Sequence, residues 1–129
     1  MTSYEQKLDD LYERLDRSYG PVRLFGFFEP ASLAEKRGDI VIAADGLKEE
    51  FESYKIVTGL LNEIFSTPEL SRIERVVIRN PRDKSVKRLM AILPRNGESY
   101  DLYNFEFGGT SVRAAHIIRA SRKTAHAKA

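Results

Sequence analysis

Eight basic residues, Arg72, Arg75, Arg79, Arg82, Lys84, Lys87, Arg88 and Arg95, fall within 24 positions, opposed only by Glu74 and Asp83. Cations at this density can follow a row of phosphates or seat an acidic protein surface, and Arg119, Arg122, Lys123 and Lys128 could reinforce them. The competing assignment is a solvated sheet face whose arginines pair with the acids of the first half of the chain or with those of a second subunit. Residues for covalent or metal chemistry are fewer. The chain has no cysteine, which excludes disulfides, thiolate nucleophiles and Cys-ligated zinc or iron–sulfur sites. Its two histidines, His116 and His126, have no Asp, Glu or His at ligand spacing, and no phosphate-loop or GxGxxG pattern occurs. Gly108-Gly109 ahead of a helix is a weak anion-binding signal. No catalytic, cofactor-binding or metal-binding residue is assigned, and no cofactor is expected.

One fragment bears on enzymatic chemistry. Leu24-Phe25-Gly26, a polar loop, and then Gly38-Asp39-Ile40-Val41 resemble the start of the minimal nucleotidyltransferases, over about residues 10 to 45. That family has Gly-Ser after the strand and two aspartates one residue apart that hold metal. Phe27 stands in place of the serine and Val41 in place of the second aspartate. Two-metal transfer needs both carboxylates, so the resemblance implies a degenerate nucleotidyltransferase-like protein, with any divalent-metal binding resting on Asp39.

The elements that position these residues can be read from periodicity. Residues 4 to 18 carry Tyr4, Leu8, Leu11, Tyr12 and Leu15 at helical spacing, with Thr2 and Glu5 as a capping box and Gly20-Pro21 as the stop. Val22 to Glu29 and Asp39 to Ala44 read as strands, and the unbroken apolar run from Ile40 suits a strand covered on both faces. A long helix is expected from an Asp45 N-cap to about Phe65. Thr67-Pro68 opens a short turn. Ile73 to Arg79 and Lys87 to Leu93 read as a hairpin with a charged loop, and Tyr100 to Phe107 as a strand after a turn at Pro94 to Gly97. Within it Tyr103, Phe105 and Phe107 share one face by alternation, as core rather than as a base-stacking platform. A final helix is expected from Thr110 or Ser111 to about Arg122. The fold class is therefore α/β (α+β): a mostly antiparallel five-stranded sheet with helices packed on it, in the order α-β-β-α-β-β-β-α. Residues 1–122 form one domain and residues 123–129 a flexible basic tail.

Charge is uneven along the chain. Residues 1 to 65 hold 8 Lys/Arg and 13 Asp/Glu (net −5), and residues 66 to 129 hold 13 and 6 (net +7), which sum to +2. Such an asymmetry steers partners and says little about fold. No apolar run approaches the roughly 18 residues a membrane span needs, so a cytoplasmic protein without membrane association is expected.

Over about residues 4 to 122 the element order resembles the roadblock/LC7 domain and its profilin-like relatives. The resemblance is one of topology and implies homodimerisation through the long helix and the adjacent strand, with use as a scaffold or regulator of small GTPases or motors. The leading expectation is a non-catalytic interaction or regulatory module, homodimeric through Phe51, Tyr54, Val57, Thr58, Leu61 and Phe65. The alternatives are a nucleic-acid-binding protein using Arg75, Arg79, Arg82, Lys84, Lys87 and Arg88 on a basic hairpin within residues 72–95, or the degenerate transferase above.

Overall fold

A computed structural model describes residues 3–34, 36–93 and 99–120, except for the side chains of residues 119 and 120. The expected Thr2 cap, the turn at Pro94 to Gly97 with Arg95, and the basic tail with Arg122, Lys123, His126 and Lys128 lie outside the described residues, as does the side chain of Arg119.

The chain runs α1 (Tyr4–Tyr19), β1 (Val22–Pro30), β2 (Gly38–Ala44), α2 (Phe51–Ile64), α3 (Thr67–Leu70), β3 (Ile73–Arg79), α4 (Lys84–Ile92), β4 (Tyr100–Phe107) and β5 (Thr110–Ala120). One five-stranded sheet is ordered β3-β2-β1-β5-β4. The expected class, a five-stranded α+β sheet with helices packed on it, is what forms. The sheet is mixed, because α2 and α3 carry the chain across so that β3 pairs parallel to β2, while the other pairings are antiparallel. β1 and β2 are central and buried along nearly their whole length, as the apolar run from Ile40 requires.

Alternate residues of these strands feed two cores. On one sheet face Phe25, Phe27, Ile40 and Ile42 meet Leu8, Leu11 and Leu15 of α1 and Val57 and Leu61 of α2. On the other, Leu24, Phe28, Val41 and Ala43 meet Val86, Leu89 and Leu93 of α4 and its flank. Each such aliphatic side chain contributes about 1.5–3 kcal/mol when fully buried. α1 and α2 therefore stand on one side of the sheet and α4 on the other.

Four local expectations are corrected. The α1 capping box is Ser3 with Gln6: the Ser3 hydroxyl accepts from the Gln6 N–H at 3.1 Å, and the Gln6 side chain accepts in return. α2 starts at Phe51, because Asp45 and Gly46 form a turn and Leu47 bridges back to Ala44; the Asp45 carboxylate instead takes Arg23 at 2.8 Å. The stretch expected as a strand at Lys87 to Leu93 is α4. Asp83 caps it by accepting from the Ser85 N–H, and Val86, Leu89 and Leu93 recur at helical spacing among strong helix formers. The final helix is the strand β5. Gly108 (φ 58°) and Gly109 (φ 83°) supply the two positive-φ positions of a tight hairpin turn, which pairs Phe107 with Thr110.

The clean alternation expected for β4 also breaks. Asn104 sits at φ 55°, and Leu102 joins Phe105 and Phe107 in one core while Tyr103 is exposed.

Candidate functional site

The basic segment divides into two groups. Arg72 lies over the Tyr4 ring, 4.1 Å from its centroid, and its Nε donates to the Lys36 carbonyl. Arg75 donates two hydrogen bonds to the buried Asp39, the shorter at 2.8 Å, and that contact raises its pKa above the usual guanidinium value. Arg79 reaches Glu49 at 3.7 Å and the Ile78 carbonyl at 3.2 Å. These three are taken up by the fold.

Arg82, Lys84, Lys87 and Arg88 are all exposed and enter no ion pair among the described residues. They do not lie on a hairpin: one precedes α4 and three sit on its outer surface. Asp83, the acid between them, has its carboxylate turned onto the Ser85 N–H as helix cap. Lys84 and Arg88, four apart, repel at a cost of about 0.2–0.5 kcal/mol. Lys84 also occupies the first helical position, where the positive helix end disfavours a cation by about 0.3–1 kcal/mol.

On the opposite sheet face, α2 divides the expected dimer residues. Val57, Leu61 and Phe65 are 0%, 5% and 4% exposed and belong to the chain's own core. Tyr54 is half-buried, and its hydroxyl accepts from the Ile78 N–H. Phe51 and Thr58 remain on the outside, and Phe51, 75% exposed, is the most exposed large apolar side chain among the described residues. The outer stripe of α2 is thus Phe51, Lys55, Thr58 and Asn62, one residue per turn.

Beside this stripe, α1 and α2 leave an open groove of about 650 Å³. Tyr19, Ile56, Gly59 and Leu60 line it together with Ser18 and the charged Arg14, Arg17, Lys55 and Glu63, of which Arg14 meets Glu63 at 3.1 Å. A Cβ added at Gly59 would meet nothing within 4 Å among the described residues. Mid-helix glycine costs about 1 kcal/mol relative to alanine, and nothing in the monomer requires it there.

The carboxylate of the transferase-like fragment is not arranged for a cation. Asp39 is buried, held by Arg75, and Phe28 is its cross-strand neighbour. Among the described residues no group of three His, Asp or Glu side chains converges.

Asp101 and His116 form a pair that the sequence reading missed. They are direct partners across β4 and β5, with Oδ1 and Nδ1 2.8 Å apart. Only the strand assignment of β5 brings them together. An aspartate fixing a histidine at Nδ1 is the orienting half of a catalytic triad. His116 makes no other side-chain hydrogen bond among the described residues, so no nucleophile is engaged with it there.

Two further perturbed groups bind α1 to its surroundings. Lys7 donates to Glu69 at 2.7 Å and, with the Ser66 N–H, holds that carboxyl below its usual range. Burial raises the Tyr4 hydroxyl above the ordinary phenol value against the opposing charge of Arg72, and its oxygen has no hydrogen-bond partner among the described residues.

No helix among the described residues is long and apolar enough to cross a membrane. No family model, curated protein or solved structure matches this chain.

Proposed function

We propose that this chain is a non-catalytic interaction or regulatory module that works as a homodimer, two copies meeting through the outer surface of α2 about a two-fold axis. One observation carries the reading: a projecting apolar side chain, Phe51, and an unfilled opening at Gly59 lie on the same helix. They are eight residues apart, about 12 Å along the axis. In an antiparallel α2 pair centred near Lys55, the Phe51 of each copy enters the Gly59 groove of the other. This is the self-complementarity that a two-fold interface demands. The aromatic ring fills the space and the missing Cβ admits it, which gives the glycine a role that the monomer does not.

The reading narrows the expected interface. Phe51 and Thr58 act in it directly and Tyr54 from its edge, while Val57, Leu61 and Phe65 support α2 from beneath.

Complementary variants test it. Phe51→Ala removes the ring and Gly59→Leu fills the opening, so each variant alone is expected to sediment as monomer. Mixed, the intact Phe51 of one enters the intact groove of the other, and at the second contact the introduced leucine fills the space left by the introduced alanine. A 1:1 mixture should therefore recover dimer. Dimers of unchanged strength in both single variants would contradict the reading.

A further inference from the structure

We infer that the outer face of α4 is a second, independent binding surface, and that its ligand is the phosphate backbone of a nucleic acid. Arg82, Lys84, Lys87 and Arg88 present four cations of one sign within seven residues, all exposed and none in an ion pair among the described residues. The neighbouring acid, Asp83, is committed to the helix cap. Lys84 and Arg88 repel each other, and Lys84 adds its charge to the positive end of the α4 backbone. Nothing within the described fold relieves that accumulation, and a polyanion does.

The kind of polyanion follows from what the face lacks. Val86, Leu89 and Leu93, the apolar side of α4, are locked in the core. The helix therefore has no apolar face to insert into a lipid surface. Ile92 is the single exposed large apolar residue of α4 and sits at its far end, past the cations. A protein interface is anchored by a buried aromatic or aliphatic cluster, whereas phosphates need only cations. Contact of this kind positions a duplex without reading its sequence.

Because α4 and α2 lie on opposite sides of the sheet, this binding is separable from dimerisation. The experiment is fluorescence anisotropy of a short mixed-sequence DNA duplex, titrated with the full chain across a salt series. Four phosphate contacts give a log K against log salt slope of about −3.6, or roughly 150-fold weaker binding between 50 and 200 mM salt. The triple variant Lys84→Gln, Lys87→Gln, Arg88→Gln should bring the slope to about −0.9, and Lys87→Gln alone should reduce its magnitude by about 0.9. A second duplex of different sequence should bind equally well, and Phe51→Asp should leave the binding intact. Absence of binding at 50 mM salt would overturn the inference, as would affinity unchanged in both variants. So would preference for polyglutamate over the duplex, which would make the ligand an acidic protein, or capture by anionic vesicles alone.

Discussion

Tyr4 shows how a single residue can be placed against its own interest. Its ring packs at the edge of Phe27 (6.1 Å between centroids) and beside Phe65 (5.4 Å), with Arg72 over its face. Its hydroxyl is buried without a hydrogen-bond partner among the described residues. An orphaned buried hydroxyl costs about 1–3 kcal/mol. Tyr4→Phe, which keeps every ring contact, should therefore stabilise the fold by about 1 kcal/mol, roughly 4 °C in a thermal melt. The pH dependence has a definite sign. With the folded pKa raised, the folded state keeps the phenol proton that the unfolded state releases near pH 10, so stability is complete below that value and falls above it. Tyr4→Phe should lose that alkaline component, as a series of melts between pH 8 and 11 would register. At this scale the sequence conceals partnerships rather than residues. For Arg75 and Arg79 the sequence leaves phosphate binding and pairing with first-half acids both open and names no partner; Asp39 and Glu49 lie 36 and 30 positions away and meet them only through the parallel β2–β3 crossover and the turn before α2. Asp101 and His116 are concealed for the same reason.

At the scale of elements, α1, β1 and β2 could be read from apolar spacing, since each buries one face or both in a regular period, whereas β3 and β4 are legible from their apolar and aromatic content although neither buries a regular face. The two misread elements had clear signals of competing meaning. Gly108-Gly109 suits a helix entry as well as a hairpin turn, and the β-branched Thr110, Val112, Ile117 and Ile118 favour the turn. Lys87 to Leu93 is short and apolar enough for a strand, but Asp83 and the three- and four-residue spacing of Val86, Leu89 and Leu93 specify a helix. In α2 the residues expected to share one interface divide between two faces, because Phe51 and Leu61, ten residues apart, lie about 80° apart around the helix. Ser53, Val57 and Leu61 face inward and Phe51 faces outward. Two aspartate substitutions on this one helix should consequently behave differently. Leu61→Asp places an unpaired charge in the core and should cost on the order of 3–5 kcal/mol, a large share of a typical domain's 5–15 kcal/mol. Phe51→Asp should leave the unfolding free energy of the monomer within about 0.5 kcal/mol of its native value. Urea titrations followed by circular dichroism would separate them, and equal losses would mean that α2 is oriented otherwise.

For the whole molecule, the division of charge between the halves of the chain becomes a division in space. The acidic first half supplies the two helices on one side of the sheet, and the basic second half supplies α4 on the other. The proposed dimer uses the first side through an apolar knob and a groove, which leaves the cationic helices of both copies turned outward. Self-association should then tolerate salt while binding through α4 does not, because apolar burial is weakly affected by the ionic screening that weakens contacts between exposed charges. The most direct test is molar mass by light scattering at 0.15 M salt, from low to high micromolar chain, for the native sequence and for Phe51→Asp. The native protein should rise toward twice the 14.7 kDa chain mass and the variant should stay at 14.7 kDa. A native protein that stays at the chain mass throughout, or a variant that still doubles, would contradict the proposed dimer.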